Sequence, residues 1–125
     1  MSEITRNKIL AVDFDDTIAI SRFNEETKET DIVGYNENVV SFIKKFKANG
    51  GRVILNTCRH DHSLKVAVEY CRSLGLEFDK VNENLDEEVE MFGDCRKIFA
   101  DYYLDDKAMK ISDIERFKIC LFIII

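Results

Sequence analysis

Lys8-Ile9-Leu10-Ala11-Val12-Asp13-Phe14-Asp15-Asp16-Thr17 is the stretch that decides the fold. Its first half is a short, nearly continuous apolar run, the pattern of a strand buried on both faces of a parallel sheet. Its second half turns abruptly acidic, so a core strand hands over directly to a cluster of carboxylates. Downstream, Val39, Phe42, Ile43 and Phe46 recur at steps of three and four, which predicts a helix with Asn36 as its cap and Gly50 beyond its end. Arg52 to Asn56 reads as a second strand through Val53-Ile54-Leu55. Leu64, Ala67, Val68, Cys71 and Leu74 then mark a second amphipathic helix stopped by Gly75.

The unit repeats along the rest of the chain. Leu76, Phe78 and Val81 suggest a third, less buried strand. Leu85, Val89 and Phe92 put one apolar stripe on an otherwise acidic helix ending at Gly93, with Asp86-Glu87-Glu88 as its wet face. Ile98 to Leu104 reads as a fourth strand that again ends in acid, at Asp105-Asp106. A short helix over Ser112 to Lys118 leads into Cys120 to Ile125, an apolar segment that suits either a last strand or a docked tail. Strands alternating with helices imply an α/β fold, a doubly wound parallel sheet in three layers, because right-handed crossovers return each strand beside its neighbour.

Composition sets the bounds. At 125 residues the chain fits a single domain, 1–125, and 46% hydrophobic content suffices for a core. Lys and Arg number 18 against 24 Asp and Glu, a net charge of -6, which gives no broad electrostatic footprint for nucleic acid. The polar start, Met1 to Lys8, lacks the apolar stretch of a secretory signal, and no run is long enough to cross a bilayer, so a cytoplasmic protein without a membrane partner is expected. Cys58, Cys71, Cys95 and Cys120 are widely spaced and sit mostly among apolar neighbours, which predicts reduced core thiols. Cys58, His60 and His62 alternate but match no zinc spacing, and a loop with exposed imidazoles explains them better.

In an open parallel sheet, ligands gather at the carboxyl ends of the strands. Those ends here are Asp13-Phe14-Asp15-Asp16-Thr17, Asn56-Thr57-Cys58-Arg59 and Asp105-Asp106, so acids and a hydroxyl collect along one rim. Clustered acids repel one another, and an all-oxygen set of donors favours a hard cation such as Mg2+. Arg59 follows this rim and can fork two hydrogen bonds onto an anionic substrate; a surface ion pair is the competing role for it.

Three segments taken together, Leu10 to Thr17, Val53 to Thr57 and Lys97 to Asp106, resemble the haloacid dehalogenase superfamily, mainly phosphatases and phosphotransferases, and within it the small members without a cap domain. The resemblance spans residues 8–106. It implies a strand order 3-2-1-4-5, with the strand ending at Asp13 between those ending at Thr57 and Asp105. It implies Asp13 as the nucleophile that forms an aspartyl-phosphate, and Asp15 as the general acid and base. Thr57 then binds a phosphoryl oxygen and Lys97 offsets its charge, with Lys80 as the substitute lysine. Thr57, Cys58, Arg59 and Lys97 are the expected substrate-binding residues. Mg2+ is the expected cofactor, held by Asp13, the Asp15 backbone carbonyl, Asp105 and Asp106. Many relatives carry glycine where this chain has Asp16.

Residues 18–35 are long enough for a flap but too short for a cap domain, so the site is expected to be open. In the family such openness goes with large substrates or with a neighbouring subunit as lid, hence a homo-oligomer as one arrangement. Ile18, Ile20 and Phe23 on the flap suit such a partner, although packing onto their own domain is simpler. The function that follows is a Mg2+-dependent phosphatase or phosphotransferase acting on a phosphomonoester, by default a small phosphorylated metabolite. Two other classes compete: a catalytically idle relative serving as a binding module, and a receiver-type phosphoacceptor domain. The latter needs an acceptor aspartate after its middle strand, where this chain has Asn56-Thr57.

Overall fold

The computed structural model describes residues 6–108 and residue 110. In chain order the elements are β1 (Ile9–Val12), β2 (Ala19–Asn24), β3 (Glu29–Tyr35), α1 (Glu37–Ala48), β4 (Arg52–Leu55), α2 (Asp61–Ser73), β5 (Lys80–Val81), α3 (Asp86–Phe92) and β6 (Tyr102–Leu104). The helix expected over Ser112 to Lys118 and the strand over Cys120 to Ile125 lie outside the described residues.

All four residues of β1 are buried, as a strand covered on both faces requires. It pairs in parallel with β4, Ile9 opposite Arg52 through Val12 opposite Leu55. On its other side it pairs in parallel with β6, Leu10 opposite Tyr102 through Val12 opposite Leu104. With β5 beside β4, the sheet runs β5-β4-β1-β6. Alternate residues of β1 feed two separate cores, because successive side chains point to opposite faces. Leu10 and Val12 join Val53 and Leu55 with Val40, Ile43 and Phe46 of α1 and Ala67 and Cys71 of α2. Ile9 and Ala11 join Ile54 with Leu85, Ile98 and Ala100.

The structure corrects several sequence readings. On α1 the buried stripe is Val40, Ile43 and Phe46, whereas Phe42 is exposed and leans on Phe46 with ring centroids 6.0 Å apart. Asn36 occupies the cap position without a side-chain cap bond; its N–H instead donates to Ile18 O at 2.8 Å, joining the helix start to the first turn of the flap. The third strand shortens to Lys80–Val81 because the Asp79 carboxylate accepts the Val53 N–H at 2.7 Å, replacing a backbone ladder partner. The fourth shortens to Tyr102–Leu104 because side chains engage its upstream backbone. Asn84 accepts the Phe99 N–H, and the Tyr103 hydroxyl bonds both Ile98 O and Ala100 N–H. Cys71 alone of the described cysteines is a core thiol, pushed up to about 12 by burial; Cys58 and Cys95 are exposed.

Gly51 sits where β4 begins because nothing larger fits: a Cβ there would lie 2.2 Å from the Phe46 ring and 2.8 Å from its carbonyl oxygen. The flap is the antiparallel hairpin β2-β3, bulged between Ile20 and Ser21. Ile18 is buried in the core beneath it, while Ile20 and Phe23 are exposed at 51% and 53%.

Candidate functional site

The turn after β1 is built around Phe14. Its ring is fully buried, 6.4 Å from that of Tyr70, and its carbonyl accepts the N–H groups of Thr17 at 3.2 Å and Ala19 at 3.0 Å. Closing so tightly requires a left-handed residue, and Asp16 supplies it with φ of 58°. Aspartate is among the few non-glycine residues that adopt this region readily. Its carboxylate also accepts the Ser21 N–H at 3.2 Å, so the turn is made without a glycine.

This turn leaves Asp13 at the carboxyl end of β1, beside the end of β6: the Asp13 N–H donates to Leu104 O at 3.0 Å. Asp13, Asp105 and Asp106 therefore converge, each offering a carboxylate oxygen, and these oxygens lie within 4.8 Å of one another. Burial pushes the Asp13 carboxyl above the usual carboxylate range; the Phe14 N–H, 2.8 Å from Oδ1, opposes the shift, and the charges of Asp105, Asp106 and Asp15 add to it. Three converging carboxylates, one of them half-buried, form a donor set of the kind a hard cation takes. Asp13, Asp105 and Lys97 line one hollow of about 320 Å³, together with Asn56, Ala11 and Tyr103. Of the two lysines considered, Lys97 faces this hollow. Lys80 is paired with Asp86 at 2.9 Å, which raises its ammonium above the ordinary value.

Asp15 has a different setting. Its carboxylate lies in a fork from Arg59, with Nε 2.9 Å from Oδ2 and Nη2 2.8 Å from Oδ1, and it accepts the Ser21 hydroxyl at 2.7 Å. Burial acts to raise this carboxyl, but the Arg59 and Ser21 hydrogen bonds and the charges of Arg59 and Lys107 outweigh it and hold it below the usual range. Arg59 is itself buried, with its guanidinium 5.0 Å from the centre of the Phe14 ring. Its remaining donors reach Thr30 O on the flap at 3.1 Å and Ser63 O on α2 at 3.2 Å. Of the two roles the sequence left open for Arg59, this structure shows an ion pair, buried rather than at the surface: its fork is on Asp15, because a buried guanidinium needs a carboxylate and carbonyls close by. Asp15 and Arg59 line a second hollow of about 730 Å³, between the flap and α2, with Ile32, His62 and Tyr70 among its walls.

Thr57 follows β4 at the same rim. Its N–H donates to Asn82 Oδ1 at 2.8 Å and its hydroxyl accepts the Arg59 N–H at 3.2 Å, so it is held both by its own loop and by the residue that follows β5. Cys58 is exposed beside it. The structure therefore brings Asp13, Asp105 and Asp106 together, with Lys97 lining the hollow that Asp13 and Asp105 share, and places Asp15 and Arg59 at another. Sequence reasoning put Asn56 on the rim, just after β4, without giving it a role, and it missed Ser21 and Asn84, which carry no pattern that distinguishes them from ordinary polar residues.

No protein-family model matches the chain, and no curated protein matches it. Among solved structures it is similar to a conserved protein from Bacteroides thetaiotaomicron, at 29% identity over 90% of this chain and 93% of that one, with a TM-score of 0.67. The shared architecture is α/β. Among the described residues no helix is long and apolar enough to cross a membrane.

Proposed function

We propose that the protein is a Mg2+-dependent phosphatase or phosphotransferase of the haloacid dehalogenase type, acting on a phosphomonoester of a small molecule. The observation that carries this reading is the convergence of Asp13, Asp105 and Asp106 at the ends of two adjacent parallel strands, with Lys97 across the same hollow. The order β5-β4-β1-β6 supports this reading, being compatible with the first four strands of a 3-2-1-4-5 sheet, as does the hairpin β2-β3 in the position after β1.

Asp13 attacks phosphorus in line as the P–O bond to the leaving alkoxide breaks, and it carries the phosphoryl group as an acyl phosphate, a mixed anhydride, until water attacks phosphorus and frees both the carboxylate and inorganic phosphate. Lys97 offsets the negative charge of the transferring group, and Thr57 donates its hydroxyl to a phosphoryl oxygen. Asp15 protonates the leaving oxygen and then takes a proton from water, which requires its carboxylate to loosen from Arg59 and Ser21. Asp13, Asp105, Asp106 and the Asp15 carbonyl are the residues to hold Mg2+, which supplies charge neutralisation for the phosphoryl group when bound.

One observation favours a second reading. The saturation of Asp15 by Arg59 and Ser21 also suits a catalytically idle binding module. Hydrolysis of p-nitrophenyl phosphate with and without Mg2+, for the natural chain and Asp13→Asn, separates the two. Turnover that needs both Mg2+ and Asp13 is expected. Mg2+ binding without turnover of this probe or of a panel of phosphorylated metabolites points to the idle module, and Asp13-independent turnover refutes the assignment.

A further inference from the structure

Asn84 stands outside the carboxylate cluster, yet it is 5% exposed and all its amide bonds go to one segment. Nδ2 donates to Cys95 O at 3.0 Å and to Lys97 O at 3.2 Å, and Oδ1 accepts the Phe99 N–H at 2.7 Å. Between α3 and β6 that segment has no helix or strand of its own, so its backbone groups need partners from elsewhere. From the other side, the Tyr103 hydroxyl donates to Ile98 O at 2.7 Å and accepts the Ala100 N–H at 3.2 Å. The Tyr103 ring lies below the Lys97 ammonium, 5.9 Å from ring centre to Nζ. The residue that presents a cation to the Asp13 hollow is therefore fixed by side chains on both flanks.

We propose that Asn84 is a positioning residue for Lys97, setting where its ammonium meets the phosphoryl group, with Tyr103 as the second support. The inference rests on the phosphatase reading, since it gives Lys97 a phosphoryl group to meet. A long flexible lysine gains little orientation from its own rotamers, so its backbone must be placed if its charge is to be aimed. Asn84 is suited to this because its amide offers donors and an acceptor at once, matching two carbonyls and an N–H that no apolar residue could satisfy. Misplacing a charged group by about 1 Å is enough to cost about a hundredfold in rate.

The test is a cycle of Asn84→Ala, Lys97→Ala and the double variant, assayed with p-nitrophenyl phosphate and Mg2+, with inorganic phosphate as competitive inhibitor. Lys97→Ala is expected to lower kcat/KM by about 10²-fold or more, as for loss of one preorganised charge donor. Asn84→Ala is expected to lower it by at least about tenfold and to weaken inhibition by phosphate. In the Lys97→Ala background the same change should cost less than about twofold, because there is no ammonium left to misplace. An equal factor in both backgrounds is what a purely structural role produces, and it overturns the proposal while leaving the phosphatase reading intact. A natural chain without Mg2+- and Asp13-dependent hydrolysis, of this probe and of a panel of phosphorylated metabolites alike, overturns both. Should Asn84→Ala lack a cooperative melting transition, Tyr103→Phe takes its place in the cycle, removing only the hydroxyl on the other flank, and the same two outcomes decide.

Discussion

Replacing Arg59 by alanine tests whether the Asp15 pair is a structural clamp. The side chains of Arg59 and Asp15 are 8% and 31% exposed, so the guanidinium is removed from an interior site while its carboxylate keeps some access to water. Breaking a fully buried pair costs about 3–5 kcal/mol. Partial exposure of Asp15 reduces this to about 2 kcal/mol, and loss of the guanidinium from the Phe14 ring adds about 0.5 kcal/mol. The carbonyls of Thr30 and Ser63 line an open hollow and can be hydrated, so they add little. The expected loss is about 2–3 kcal/mol, equivalent to about 10 °C in Tm for a domain of this size. Urea unfolding followed by circular dichroism at pH 7 measures it. The pH dependence has a fixed sign: the Asp15 carboxyl is held low in the folded state by Arg59 and Ser21 against the effect of burial. The pair's contribution is therefore complete above the unfolded carboxylate value of about 4 and fades as the pH falls through the lower folded value. The natural chain and the variant should converge in stability at that acidic end. A difference below about 0.5 kcal/mol at pH 7, within the range of ordinary surface changes, would refute the clamp.

Mg2+ at ten times its Kd should stabilise the protein by about 1.4 kcal/mol, and Asp105→Asn should remove most of that gain in a thermal melt. Because burial and the neighbouring acids hold Asp13 above the usual range despite the Phe14 N–H, the metal-free protein should lose stability as the pH rises through that range, and Mg2+ should matter more above it. Gly51→Ala should destabilise by about 1–3 kcal/mol or more through overlap with Phe46, whereas Gly34→Ala, whose new Cβ would lie 3.6 Å from Ile20, should cost far less; urea midpoints compare them. Thr17 is buried with a hydroxyl that has no hydrogen-bond partner, so Thr17→Val should be neutral or stabilising by up to about 1 kcal/mol, and a clear loss in Tm would show that the hydroxyl is bonded in solution.

The strands and helices were legible wherever one physical cause acted alone. Ile9–Val12 is apolar because both faces of β1 are covered, and a four-residue run of that kind has few other readings. The second helix ends at Gly75 because the chain needs a left-handed residue there, with φ of 82°. Legibility failed where side chains took over backbone bonding. Asp79 ends one strand's ladder early, and Asn84 and Tyr103 hold a segment that its apolar residues alone suggested as strand. The Phe42 error has another source: residues at neighbouring helical positions compete for one buried stripe, and Val40 fits the core while the larger Phe42 lies over Phe46.

For the site, sequence could collect carboxylates along a rim but could not say which way each one turns. Asp13 and Asp15 are two residues apart, and in an extended strand they would share a face. The chain is no longer extended there, because Phe14 takes two N–H bonds on its carbonyl and Asp16 turns left-handed. One carboxylate consequently meets Asp105 and Asp106, while the other meets Arg59 and the flap. The same guanidinium bonds Asp15 and the flap carbonyl of Thr30, so a displacement of the hairpin strains the contact that holds Asp15. Flap position and freedom of the Asp15 carboxylate are thus physically linked, and any displacement of the hairpin acts on both at once.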